Sequence, residues 1–103
     1  MVPKGVINVA NGTVDPVPEP IFSRKYCFVL TSNTGERVVL QAASESDRAV
    51  WLERLQRVSS QSLFIRGTLL KRMKHRNKWK ERYFLLNGAM LRWFEKEDGK
   101  MKG

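Results

Sequence analysis

With 103 residues, 42% of them hydrophobic, and three Trp, two Tyr and five Phe, the chain is expected to form one domain with one modest core, a composition that excludes disorder over most of its length. The formal net charge of +9 and a pI near 10.2 exclude a charge-balanced surface. The excess is uneven: residues 1–60 carry seven Lys or Arg against six Asp or Glu, and residues 61–103 carry twelve against four. The second half therefore expects an anionic partner, whether phosphoinositide headgroups, acidic membrane or nucleic acid, the plainer alternative being a solvated face that only confers solubility.

Residues 6–9 make a short apolar strand candidate ended by Asn11-Gly12, and residues 13–17 a second. Asp15, Pro16, Pro18 and Pro20 then predict a stiff irregular loop to about Ser23. The run Tyr26-Cys27-Phe28-Val29-Leu30 lies in a strong strand over 25–31, and 37–42 reads as its partner. Ser32-Asn33-Thr34-Gly35 between them supplies residues that tolerate positive φ, so the pair is a hairpin. Helical spacing of Trp51, Leu52, Leu55 and Val58 predicts a helix over 45–58, N-capped by Ser44 with Asp47 three residues on. Trp51 belongs to the core on this reading.

A polar connector, Ser59-Ser60-Gln61-Ser62, leads to a strand over 64–73 interrupted at Gly67. The basic turn 74–78 follows, then a strand over 79–86. Asn87-Gly88 signals a two-residue hairpin, after which come a strand over 90–95 and a charged tail. The expected fold is mainly β: a β-sandwich or partly open barrel of about seven antiparallel strands capped by one helix. Because strand side chains alternate, Lys80, Arg82, Phe84 and Leu86 share a face that is charged at its start and apolar further on. Such a face runs from an open rim into a core, and the rim with its fixed cations is the expected working end.

The lone Cys27 cannot form an intramolecular disulfide, which points to a reducing, cytoplasmic setting, and its apolar neighbours mark it as a buried thiol rather than a nucleophile. No run approaches the roughly 18 apolar residues of a membrane span, and the first residues do not read as a signal peptide, so any membrane contact is expected to be peripheral. His75, the one histidine, has no carboxylate near it in sequence except Glu81. A nucleophilic triad, metal-ligand spacing and a phosphate-cradling glycine loop are all missing, so neither an enzyme nor a cofactor is expected.

With these elements placed, the sequence resembles a pleckstrin-homology (PH) domain whose halves are exchanged. Gly67-Thr68-Leu69-Leu70-Lys71, then a basic loop, then Lys78-Trp79-Lys80-Glu81-Arg82-Tyr83-Phe84-Leu85-Leu86 and Leu91-Arg92-Trp93-Phe94 resemble that family's opening. The segments 26–30, 37–42 and 43–55 with Trp51 resemble its closing strand pair and helix. The resemblance divides the chain into the family's fourth to seventh strands and helix at 1–58, a connector at 59–63, and its first three strands at 64–103. It implies a circular permutant, or a segment spanning the end of one domain and the start of the next that closes on itself or swaps between chains; a monomer is expected, and a stable dimer would point to swapping.

The family's phosphoinositide signature is a lysine on the first strand followed by Lys/Arg-x-Arg at the start of the second. Lys71, Lys80 and Arg82 match it. The resemblance thus implies a headgroup site at these three residues, with Lys74, Arg76 and Lys78 of the turn adding charge and backbone amides. Arg92 is a further candidate, and Lys102 lies where some members place another cation. The implied function is reversible recruitment to the cytosolic face of membranes through phosphoinositides. The alternatives are a protein-interaction module of the same fold that meets an acidic partner and, supported only by charge and aromatics, nucleic-acid binding.

Overall fold

A computed structural model describes residues 2–57, 64–74 and 78–96. Its elements in chain order are β1 (Gly5–Asn8), β2 (Thr13–Val17), α1 (Glu19–Phe22), β3 (Cys27–Thr31), β4 (Arg37–Gln41), α2 (Glu45–Gln56), β5 (Phe64–Arg72), β6 (Trp79–Asn87) and β7 (Met90–Phe94). All strand pairs are antiparallel, in one seven-stranded sheet of order β1-β7-β6-β5-β4-β3-β2.

That order forces curvature. β1 and β2 occupy opposite edges, yet only residues 9–12 join them. Such a connection spans at most about 18 Å from Asn8 to Thr13, whereas the edges of a flat seven-stranded sheet stand roughly 29 Å apart. The sheet must curl to bring its edges together, which gives the partly open barrel expected from the strand count. Its concave face holds the core: Ile7, Val14, Phe28, Leu30, Val38, Leu40, Leu69, Phe84, Leu86 and Leu91, with Trp51 and Leu55 of α2. The sheet is least continuous between β4 and β5, which share only the pairs Leu40↔Lys71 and Gln41↔Leu70.

Local chemistry accounts for most boundaries. The Ser44 hydroxyl accepts the Asp47 N–H at 3.1 Å and starts α2 where expected. In the β3–β4 hairpin the buried Ser32 hydroxyl accepts the Thr34 and Glu36 amides at 3.3 and 3.1 Å, and Gly35 takes the positive φ. β3 begins at Cys27 rather than residue 25 because Tyr26 adopts φ 64°, in the left-handed region where a strand cannot run. The β6–β7 turn is Gly88-Ala89, not Asn87-Gly88: Asn87 pairs with Met90, and positive φ falls on Gly88 alone, as at the first position of a type II′ turn.

Two expectations are corrected. Pro18 and Pro20 do not bar regular structure. Pro18 is the N-cap of α1 and Pro20 sits in its first turn, where a missing N–H costs nothing, while Pro16 lies in β2 at the sheet edge. Gly67 does not interrupt β5, which pairs with β6 continuously from Phe64↔Asn87 to Arg72↔Trp79. It is a seat for Trp51: a Cβ at residue 67 would already touch that ring at 3.4 Å, so little beyond alanine fits under it. α2 ends at Gln56 with Arg57 as its C-cap, two residues short of the expected end at 58, and the connector 59–63 lies outside the described residues.

Gly5 faces Trp93 across the β1–β7 pair, and any Cβ there overlaps the indole. Gly5→Ala is expected to lower stability by about 1–3 kcal/mol through overpacking, and Ser44→Ala by about 1 kcal/mol through loss of the cap. Chemical denaturation of each variant against the parent checks both, and an unchanged Gly5→Ala protein would mean that Trp93 has another place to go.

Candidate functional site

Register decides which cations meet. Lys71 on β5 lies directly opposite Lys80 on β6, and Leu69 opposite Arg82. Directly paired residues share a face, so Lys71, Lys80 and Arg82 all lie on the concave side, continuing the line of Leu69, Phe84 and Leu86 to where the core ends. Lys80 is exposed and Lys71 and Arg82 are half-buried, as a rim should be. Like charges directly opposite on adjacent strands destabilise a sheet. This pairing therefore costs folding stability rather than contributing to it.

The cost is concentrated on Lys71. Burial, then the Arg82 guanidinium, then the Lys74 ammonium hold its pKa below the usual lysine value. Among the described residues no carboxylate lies within ion-pair distance of Lys71, Lys80 or Arg82. Glu81, between the last two, points to the opposite face beside Leu70. What supports Lys71 is an aromatic ring: its Nζ lies 5.2 Å from the Trp93 ring centroid. Trp93 is fixed in turn by Gly5 on one strand and by Phe84, whose ring centroid is 5.7 Å away, on the other. Arg82 donates from Nη1 to the Glu81 carbonyl at 2.9 Å, which holds the guanidinium against its own strand.

The remaining sequence-predicted residues divide. Lys74 and Lys78 flank the hairpin tip, both exposed, where the Met73 amide donates to the Lys78 carbonyl at 2.7 Å. Arg76, with His75, lies outside the described residues, as does Lys102. Arg92 pairs with Leu85 on one side and Val6 on the other, which places it on the convex face, away from the three rim cations. Trp93, its neighbour in sequence, is the β7 residue that reaches them. Sequence reasoning missed that role, although counting alternation from Asn87↔Met90 along the β6–β7 hairpin puts residue 93 beside Phe84 and so on the concave face.

Other concave surface lies elsewhere. Hollows of about 300 and 510 Å³ follow β2 and α2, the first lined in part by Val14, Leu30 and Leu55, the second by Pro16, Tyr26 and Arg48. Neither includes a rim cation. Cys27 is buried, and that burial raises its thiol pKa against the opposing pull of Arg24 and Arg48, so at neutral pH it is a packed thiol rather than a thiolate. No helix among the described residues is long and apolar enough to cross a membrane.

No curated protein and no solved structure matched the chain. One family model did: PH domain, over residues 2–60. The match covers more than half of the chain, from β1 through α2, and the seven-stranded antiparallel sheet with its helix agrees with it. The chain belongs to the PH domain family.

Proposed function

We propose that the rim formed by Lys71, Lys80 and Arg82 binds the phosphorylated inositol headgroup of a phosphoinositide and so recruits the protein reversibly to the cytosolic face of a membrane. PH domains bind phosphoinositides or proteins and are generally non-catalytic, which supports a binding module as the class of activity. The observation that carries the narrower reading is Lys71: a half-buried cation whose charge is disfavoured by burial and by two further cations, with no carboxylate within ion-pair distance among the described residues. A ligand with several phosphates close together supplies the missing charge. Arg82 offers a bidentate fork to one phosphate, Lys71 and Lys80 act as point charges, and Lys74 and Lys78 at the tip add field near the acidic leaflet.

The sign of the stability effect follows from the direction of the Lys71 shift. A lysine with a lowered folded pKa opposes folding while it is charged, and the opposition fades as pH rises past that folded value. Removing the charge removes the opposition at neutral pH. Lys71→Met is therefore expected to melt no lower than the parent while losing inositol hexakisphosphate binding by calorimetry. Arg82→Ala should weaken that binding roughly ten- to hundredfold, and Arg92→Ala, on the other face, should leave it unchanged. Equal losses for Arg82→Ala and Arg92→Ala would put the ligand somewhere other than this rim.

The exchanged order of the halves belongs to the same reading. The Lys4 amide donates to the Trp93 carbonyl at 2.7 Å and Gly5 lies opposite Trp93, so β7 and β1 run side by side as consecutive strands of a meander would. A variant in which residues 64–103 precede residues 2–57 is expected to keep the thermal midpoint and ligand affinity of the parent. Light scattering is expected to give the monomer mass of 11.9 kDa. A stable dimer would instead mean that the halves are exchanged between two chains.

A further inference from the structure

The convex face of the same hairpin carries a second, different cluster. α1 is a single turn none of whose residues is buried, and Ile21 at its outer side is 63% exposed. Phe22 meets Trp79 edge to face at 5.9 Å. The Arg24 guanidinium lies 4.6 Å from the Trp79 ring, and that of Arg72 lies 4.9 Å from the Phe22 ring. Arg24 also donates to Gln41 at 2.7 Å, tying the cluster to β4. α1 is thus held in place by stacked rings and guanidinium groups, and its branched apolar side chain projects outward.

We propose that α1 is a membrane-interface anchor: Ile21 enters the headgroup–acyl boundary of an anionic bilayer, with Phe22 and Trp79 at the interface and Arg24 and Arg72 against lipid phosphates. A lone exposed isoleucine has no meaning in itself. Here it stands beside two half-buried aromatic rings with cations over their faces. That combination of apolar tip, aromatic collar and basic surround suits the interface, where amphipathic rings settle and anionic lipid attracts Lys and Arg. Charge identifies the occupant. Over residues 19–25 and the described part of 71–82 there are eight Lys or Arg against two carboxylates, Glu19 and Glu81. Arg72 and Trp79 are also the immediate chain neighbours of Lys71 and Lys80, so the anchor and the headgroup rim occupy the two faces of one hairpin end.

The proposal deepens the headgroup reading and rests on it for the orientation of the protein at the bilayer. Its test is Ile21→Glu, with Ile21→Leu as the conservative control, in two assays after equal thermal midpoints are verified. One is sedimentation with phosphatidylcholine–phosphatidylserine vesicles carrying a phosphoinositide, the other calorimetric titration with soluble inositol hexakisphosphate. Ile21→Glu is expected to lose vesicle partition roughly tenfold, with affinity for the soluble probe unchanged and Ile21→Leu close to the parent in both. Vesicle partition of Ile21→Glu equal to that of the parent overturns the anchor and leaves the surface to a protein partner. A parent that partitions in an Ile21-dependent way but ignores the soluble probe keeps the anchor and removes the headgroup reading. A parent that binds no vesicle overturns the anchor.

Discussion

The short connection between β1 and β2 governs this fold. Strands at opposite edges of a seven-stranded sheet are joined by four residues, so the sheet has no choice but to curl. Asn11, at φ 60°, and Gly12, packed against the Thr31 carbonyl, make that reversal possible. Curling creates a concave side that can be filled by one set of alternating side chains, and α2 contributes Trp51 and Leu55 to the same filling. It also creates an open rim where the alternating set is no longer apolar. The rim cations stand where the core runs out.

At that rim the protein accepts an unfavourable arrangement. Lys71 opposite Lys80, with Arg82 beside them and no carboxylate within ion-pair distance among the described residues, does not help folding. The structure makes the arrangement tolerable by leaving Lys80 exposed, placing the Lys71 ammonium over Trp93 and holding Arg82 against a backbone carbonyl. Gly5 has a part in this that its lack of a side chain conceals, because without the space beside it Trp93 has no place under Lys71. The convex face brings cations and rings together as well: the Arg24 guanidinium lies over Trp79 and that of Arg72 over Phe22.

Particular residues show how far the chain can be read without coordinates. Strand alternation was enough to put Lys80 and Arg82 on the core side, since the same strand carries Phe84 and Leu86. Turn chemistry located the hairpins, although it misplaced the β6–β7 turn by one residue, because an Asn-Gly pair does not say which of its members joins the ladder. The Pro-rich stretch was misread as irregular because proline excludes helix interiors but not first turns. Arg92 and Trp93 are adjacent in sequence, and only the pairing of β7 with β6 and β1 separates the one that faces the rim from the one that does not.

The sequence by itself determined the kind of protein: seven strands and a capped helix from periodicity and turn residues, the concentration of positive charge in the second half, and the three positions whose alternation leads out of the core. These are local properties, written within a few residues of where they act. Tertiary structure alone decided the rest. The closure of the sheet, the lowered pKa of Lys71, the ring beneath it, the removal of Arg92 to the far face and the joining of α1 to the hairpin through Phe22 and Trp79 all depend on residues far apart in the chain. Register and curvature bring them together, and neither is a property of any one segment.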